Sequence, residues 1–380
     1  MVRVEPRPPP VFEKAQILCY RVFDVAEEID LERARKLVTE ESRRLKLGRE
    51  GSQYLELPNP PLAVDMGKRI LGLRAGALTV DVEARVYDHG AMSVQLKVPV
   101  PPGTTLPGLV PLADELYDTR AVEALCEEIA KGLRQAMAPA MLDAHFWDQN
   151  ESYTVIFAER LGGNPTPEEL LEHPELTNLL LGEANGARLS KREREEVTQH
   201  HFSYTDQDLV VVDWNSAFVL EPSGSLDIPD ILDICNAQLL ELRYYDDLLD
   251  EQLQRIYDEI QAKKGTRYGL FRRSPYKALA RRVLAMVLEM SEFIERVENS
   301  LKVIGDFYLA KVYEGALGRL RINVWQAAVT RKQQLLGNVY QLLKDEVEHD
   351  RSFTLEVTIT VLIVGELLLA IASILAQVGH

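Results

Sequence analysis

The chain has 380 residues, 46% of them hydrophobic, enough for two or three domains with packed cores. Its formal net charge of −16 argues against nucleic-acid binding through overall charge. Cys19, Cys126 and Cys235 are scattered without a CxxC pair, which argues against a disulfide scaffold and fits a reducing compartment.

Residues 1–13 carry a proline cluster, Pro6 to Pro10, and read as an extended arm. They lack the apolar stretch of a secretory signal. Residues 14–225 alternate strand-like and helix-like runs. "KAQILCYRVF" is apolar and β-prone, and "DLERARKLVTEESRRLK" has helical spacing. "LTVDVEARVYDHGAMSVQLKVPVP" holds two strands around the turn Asp88-His89-Gly90. "PPGTTLPGLVP" reads as a loop, "AVEALCEEIAKGLRQAM" as an amphipathic helix and "SYTVIFAERL" as a strand. Two short strands flank Asp213-Trp214-Asn215. This β-α-β-β-α-β order predicts an α+β domain of ferredoxin-like type.

After "PSGSLDIPD" the pattern turns helical, and residues 226–352 read as a helical stalk. Leu232, Cys235, Leu239, Leu242, Asp246, Leu249, Leu253, Ile256 and Ile260 form a heptad seam with one acidic intruder, Asp246. A second seam runs from Val283 to Phe307 and a third from Ile322 to Leu343. Breaks at "KKGTRYGLFRRSP" and near "GALGRLRIN" imply three long antiparallel helices. Asp246 calls for a basic partner, Arg243 or an arginine on the next helix, and reads as a register-setting polar contact.

Residues 353–377 read as a C-terminal transmembrane anchor. From Val357 to Ala376, twenty residues carry one ionisable side chain, Glu366, about the length that spans a ~30 Å hydrocarbon layer. A central acid costs roughly 3 kcal/mol on insertion scales, while each Leu, Ile or Val returns a few tenths. The alternative is a buried helix of a soluble bundle, with a polar partner for Glu366. In a membrane, protonation or contact with another copy would hide that charge.

No Walker loop, GxGxxG, HExxH or zinc spacing is present in the sequence, so no catalytic residue, metal site or cofactor is assigned. His200 and His201 are adjacent and cannot face one side of a strand together. Asp213, Trp214 and Asn215 form a candidate polar site. Charge is strongly segregated: Lys263, Lys264, Arg267, Arg272, Arg273, Lys277, Arg281 and Arg282 follow one another without an acid until Glu289. Asp227 to Glu259 holds ten acids and two arginines. Helix-dipole matching accounts for two or three of the bases. The rest suit anionic lipid headgroups better than an RNA backbone, because an up-down-up stalk places this loop where the apolar helix begins.

"DWNSAFVLEP", "AQLLELRYYDDLLDEQLQRIYDEI", "VENSLKVIGDFYLAKVYEGALGRLRINVW" and "FTLEVTITVLIVGELLL" resemble the Rmd/YagE family, the "required for meiotic nuclear division" proteins. The resemblance covers roughly residues 150 to 375, and loosely the part before. Glu356 and Glu366 match that family's glutamates, whereas the proline usual before Trp325 is absent. The resemblance implies a C-terminal membrane anchor and, from mitochondrial relatives, membership of large assemblies supporting translation at the inner membrane. The expectation is a membrane-anchored, homo-oligomeric scaffold with its bulk in the cytoplasm, self-associating through stalk and span and touching anionic lipids. The alternatives are an enzyme or nucleic-acid binder acting through the α+β domain, and a soluble bundle protein.

Overall fold

A computed structural model describes residues 10–38, 42–45, 55–56, 59–117, 119–183, 189–263, 276–299, 302–303 and 307–378. The architecture is mixed α+β. Strand β1 (Val11–Asp24) is followed by helix α1 (Leu31–Leu37), whose first turn is capped by the Asp30 carboxylate. Then come β2 (Ser42–Arg44), β3 (Leu62–Leu73), β4 (Gly76–Val86) and β5 (Ala91–Val100). The turn between β4 and β5 needs glycine at 90. Its φ is +105°, and a Cβ there would lie 1.8 Å from the Ala26 carbonyl oxygen.

Helices α2 (Leu106–Tyr117) and α3 (Arg120–Met137) lead to β6 (Asn150–Gly162). Three short helices follow: α4 (Pro167–Leu171), α5 (Pro174–Leu181) and α6 (Lys191–Val197). Strands β7 (His201–Phe202), β8 (Leu209–Val212) and β9 (Ser216–Leu220) complete the sheet. Its order is β7-β8-β9-β6-β1-β5-β4-β3-β2. β6 and β9 pair in parallel, Thr154 opposite Ser216, and the other pairs along this path are antiparallel.

One sheet face is apolar. Ile17, Cys19, Val82, Ala84, Val94, Leu96 and Ile156 pack there with Leu109, Ala113, Val122, Cys126 and Leu133 of α2 and α3. Full burial of each large aliphatic side chain contributes about 1.5–3 kcal/mol. This burial explains why α2 forms where the prolines and glycines of "PPGTTLPGLVP" predict a loop. Leu106, Leu109, Val110, Ala113 and Leu116 are all buried, and the helix accommodates Pro111.

The opposite face presents the alternate residues of β4 and β5, among them Glu83, Arg85, Ser93 and Gln95, with Tyr87 just beyond the end of β4. The first half of helix α7 (Asp227–Lys263) lies against them. Arg85 is 2% exposed in its side chain and is gripped by Asp230 at 2.6 Å, Asp233 at 3.1 Å and Glu83 at 3.1 Å. Tyr87 and Ser93 donate to the Asp233 carboxylate at 2.9 and 2.5 Å. Burial pushes the Asp230 and Asp233 carboxyls upward, and the Arg85 charge opposes that shift.

The remaining helices are α8 (Tyr276–Asn299), α9 (Phe307–Arg319) and α10 (Ile322–Val378). The second heptad seam therefore breaks before Phe307: Lys302–Val303 pair with Leu55–Glu56, and α9 starts afresh. The break before α10 falls at Arg321, whose φ of +56° ends α9 in the left-handed region. The chain divides into two compact units, Met1–Tyr244 with Arg296–Gln326, and Tyr245–Glu295 with Ala327–His380.

Replacing Arg85 by methionine is expected to cost roughly 3–5 kcal/mol, because two buried carboxylates lose their counter-charge. Urea unfolding of the full chain in mild detergent, followed by circular dichroism, checks this. A midpoint equal to that of the parent would contradict it.

Candidate functional site

Helix α10 contains 57 residues, about 85 Å at ~1.5 Å per residue. From Phe353 to Ile371 its large apolar side chains are 46–73% exposed, except Val357, which is half-buried. They occupy every side of the helix, so no single stripe is kept for a neighbour. Glu356 and Glu366 are also exposed. The hydroxyls of Thr354, Thr358 and Thr360 donate to the carbonyls of Asp350, Thr354 and Glu356 at 2.7–2.8 Å. Their polarity is thereby absorbed within the helix. By length and composition α10 is a candidate membrane span, and its most apolar 18-residue window is 0% buried.

Asp246 sits between the second half of α7 and α10. Its partner is Lys332 of α10, which lies 2.7 Å from both Asp246 and Asp250 and donates to the Asp246 carbonyl at 3.0 Å. Arg243, one of the two partners the sequence offered, instead engages Glu151 and Gln149, and the other, an arginine on the next helix, gives way to a lysine of α10. Of the basic segment, Lys264, Arg267, Arg272 and Arg273 lie outside the described residues. Lys263 pairs with Glu259 at 3.4 Å, and Arg282 with the same carboxylate at 3.0 Å. Lys277, Arg281 and Arg282 are exposed.

Asp213, Trp214 and Asn215 form the turn between β8 and β9. Asp213 is fully buried and its Oδ1 accepts from Arg319 Nε of α9 at 2.8 Å and from Nη2. Tyr153 donates to the Asp213 and Ser216 carbonyls at 3.0 and 2.8 Å, so the turn is bolted to β6. Asp213 Oδ2 and Asn215 Oδ1 are buried without a partner. Trp214 is 62% exposed, so it points outward and packs no core. His200 stands near the Arg319–Asp213 pair; burial first, then the Arg319 charge, lowers its pKa below the ordinary imidazole value. His201 lies on β7 with an exposed side chain.

A second buried cluster went unseen in the sequence. Asp24, at the end of β1, is 1% exposed and lies 3.0 Å from His145 Nε2. His145 Nδ1 lies 2.8 Å from the Asp143 carbonyl. A carbonyl at one ring nitrogen and a carboxylate at the other favour the protonated ring, while burial pushes the Asp24 carboxyl upward against the pull of His145. Burial works against that charge. The hydrogen bond and charge of Asp24 outweigh it and raise His145 from 6.5 to about 9. Tyr244 of α7 stacks on the ring at 5.1 Å, and His89 lies 3.6 Å from Glu241. An imidazolium locked between two acceptors serves as a counter-ion rather than a general base. Among the described residues no cluster of His, Cys, Asp and Glu is arranged to hold a metal ion.

The sequence comparisons can be set on this framework. Residues 14–227, more than half of the chain, match the family described as "Uncharacterized protein MJ0711, N-terminal domain". The chain belongs to that family. The match covers the sheet and its helices and ends at the start of α7. A relative of Methanocaldococcus jannaschii, "Uncharacterized protein MJ0711", is 26% identical over 180 residues, 47% of this chain and 54% of that protein. The chain thus spans about half the length of that relative.

The Asp24–His145 pair gives a pH signature. The folded state binds the His145 proton more tightly than the unfolded chain, so its contribution is complete below pH 6.5 and is lost as pH rises through about 9. His145→Gln should therefore lower stability near neutral pH and converge on the parent by about pH 10. Denaturant midpoints of both proteins across that range measure it. A gap that stays constant with pH would contradict the assignment.

Proposed function

We propose that the protein is a membrane-anchored scaffold or tether, with no chemistry of its own, that holds its α+β unit at a bilayer. The observation that carries this reading is the apolar end of α10, exposed on all sides and long enough to cross the hydrocarbon. The internally bonded threonines support it, because they lower the cost of leaving water. The motifs that resemble the Rmd/YagE family point the same way, since that resemblance implies a C-terminal anchor.

The strand order β6-β1-β5-β4 supports a ferredoxin-like core within the larger sheet. On this reading that core is the part displayed in the cytoplasm. The residues Lys263 to Arg282 supply contacts to anionic headgroups, each base contributing about 1 kcal/mol near such a surface, screened by salt. The second half of α7, with α8 and α10, forms the stalk. The Asp246–Lys332–Asp250 bridge sets its register.

Two experiments test this. The full chain is expected to float with vesicles in a density gradient, and a chain ending after Ser352 is expected to remain at the bottom as a soluble protein. A full-length chain that stays monodisperse without detergent would contradict the anchor. Reversing Arg272, Arg273, Arg281 and Arg282 to glutamate should weaken binding to phosphatidylserine-containing vesicles more than to neutral ones. Equal loss on both would contradict a headgroup contact.

A further inference from the structure

The turn between β8 and β9 holds more polar chemistry than a connection needs. Its floor is the fully buried Asp213 carboxylate. One oxygen, Oδ1, holds Arg319, and the other, Oδ2, has no hydrogen-bond partner among the described residues. Asn215 Oδ1 is a second covered acceptor in the same state. A buried acceptor without a donor costs roughly 1–3 kcal/mol, and here two lie two residues apart. Arg319 directs Nε and Nη2 to Asp213, which leaves Nη1 without an acceptor among the described residues. The Arg319 side chain is 18% exposed and Asn215 is half-buried, so the group reaches the surface. There Trp214 presents a largely exposed indole. The backbone beneath is fixed: Tyr153 donates to the Asp213 and Ser216 carbonyls, and the Asp213 N–H donates to the Ser216 carbonyl.

We propose that this turn binds a guanosine-type nucleoside, its base stacked on Trp214 and its amino edge turned toward Asp213 and Asn215. The turn offers one spare donor, Arg319 Nη1, two acceptors, Asp213 Oδ2 and Asn215 Oδ1, and one flat aromatic face. The complementary ligand carries two donors and one acceptor on one edge of a planar ring. Guanine has that edge, with N1–H and the N2 amino group beside O6. Adenine, cytosine and uracil each bring a single donor group to the same edge. Stacking of a base on an aromatic side chain contributes about 1–3 kcal/mol. Electrostatics select the nucleoside over its phosphates. The Arg319 charge is offset by Asp213. Burial, and then the Arg319 charge, lower the pKa of His200, which is therefore neutral at pH 7. The turn itself has no spare cation for a phosphate, and the chain as a whole repels a polyanion with its net charge of −16. The Asn215 amide and the Trp214 indole make no hydrogen bond among the described residues, so both can turn to admit the base while Asp213 stays in place. This inference goes beyond the anchoring role and does not depend on it.

Titration calorimetry of the full chain in mild detergent tests this, with guanosine, inosine, adenosine and uridine as probes. Guanosine is expected to bind at one site. Inosine, which lacks the N2 amino group, should bind about tenfold more weakly, because one buried acceptor then stays without a donor. Adenosine and uridine should bind no better than inosine. Trp214→Ala should weaken guanosine several-fold and leave the urea midpoint unchanged, since the exposed indole supports no core. Absence of guanosine binding overturns the site and leaves water, or a turned Asn215 amide, as the donor to Asp213 Oδ2. Equal affinity for all four nucleosides overturns it as well, because stacking alone would then account for binding. Unchanged affinity in Trp214→Ala places the binding elsewhere and overturns the assignment. Tighter binding of a single-stranded guanosine pentanucleotide than of guanosine overturns the choice of a small ligand over RNA. None of these outcomes alters flotation, so the anchor is judged separately.

Discussion

Apolar surface exposed to water is the constraint on which the organisation of this chain turns. The sheet hides its aliphatic face under α2 and α3, and Leu249 and Ile256 of α7, Val283 and Phe293 of α8, and Leu336 and Leu343 of α10 are buried as well. The apolar end of α10 has no such cover. At about 25 cal/mol per Å², that surface carries a large free-energy cost in water. A bilayer removes the cost on every side of the helix at once. A packing partner removes it on one side only.

The polar interactions have a different task. Arg85 draws two aspartates of α7 onto a sheet face that carries charged and hydroxyl side chains, and His145 does the same for Asp24 at one end of β1. Buried ion pairs of this kind add little net stability compared with well-packed apolar residues. Their contacts join the first half of α7 to the sheet at Asp230 and Asp233. Lys332 bridges Asp246 and Asp250 at 2.7 Å, with Asp250 largely exposed. Hydrophobic burial supplies the cohesion of each unit, and the few charges inside are held in paired contacts.

The sequence carried the large features because they are local. Alternation in "LTVDVEARVYDHGAMSVQLKVPVP" marked the hairpin of β4 and β5, and the apolar run after Ser352 marked the end of α10. What it concealed is non-local. Arg85 looks like a solvent-facing strand residue until Asp233, 148 positions later, is brought against it. A signal was present: Asp230 and Asp233 interrupt an apolar stretch at helical spacing. His145 and Asp24 lie 121 positions apart and share no motif. Helix α2 was hidden by its own prolines and glycines, whose local preference loses to the burial of five apolar side chains. The seam running to Phe307 looked continuous because heptad spacing does not register the strand pairing at Lys302–Val303.

The central claim is that lipid surrounds the end of α10. Single cysteines at Val361, Leu362, Ile363 and Val364 cover a full helical turn. Each can be labelled with an environment-sensitive fluorophore in the full chain bound to vesicles. The account predicts a blue-shifted emission at all four sites, each shielded from a water-soluble quencher and open to a lipid-borne one. Shielding confined to one or two of the four, repeating every three to four residues along the helix, would show a helix packed against protein and would contradict it.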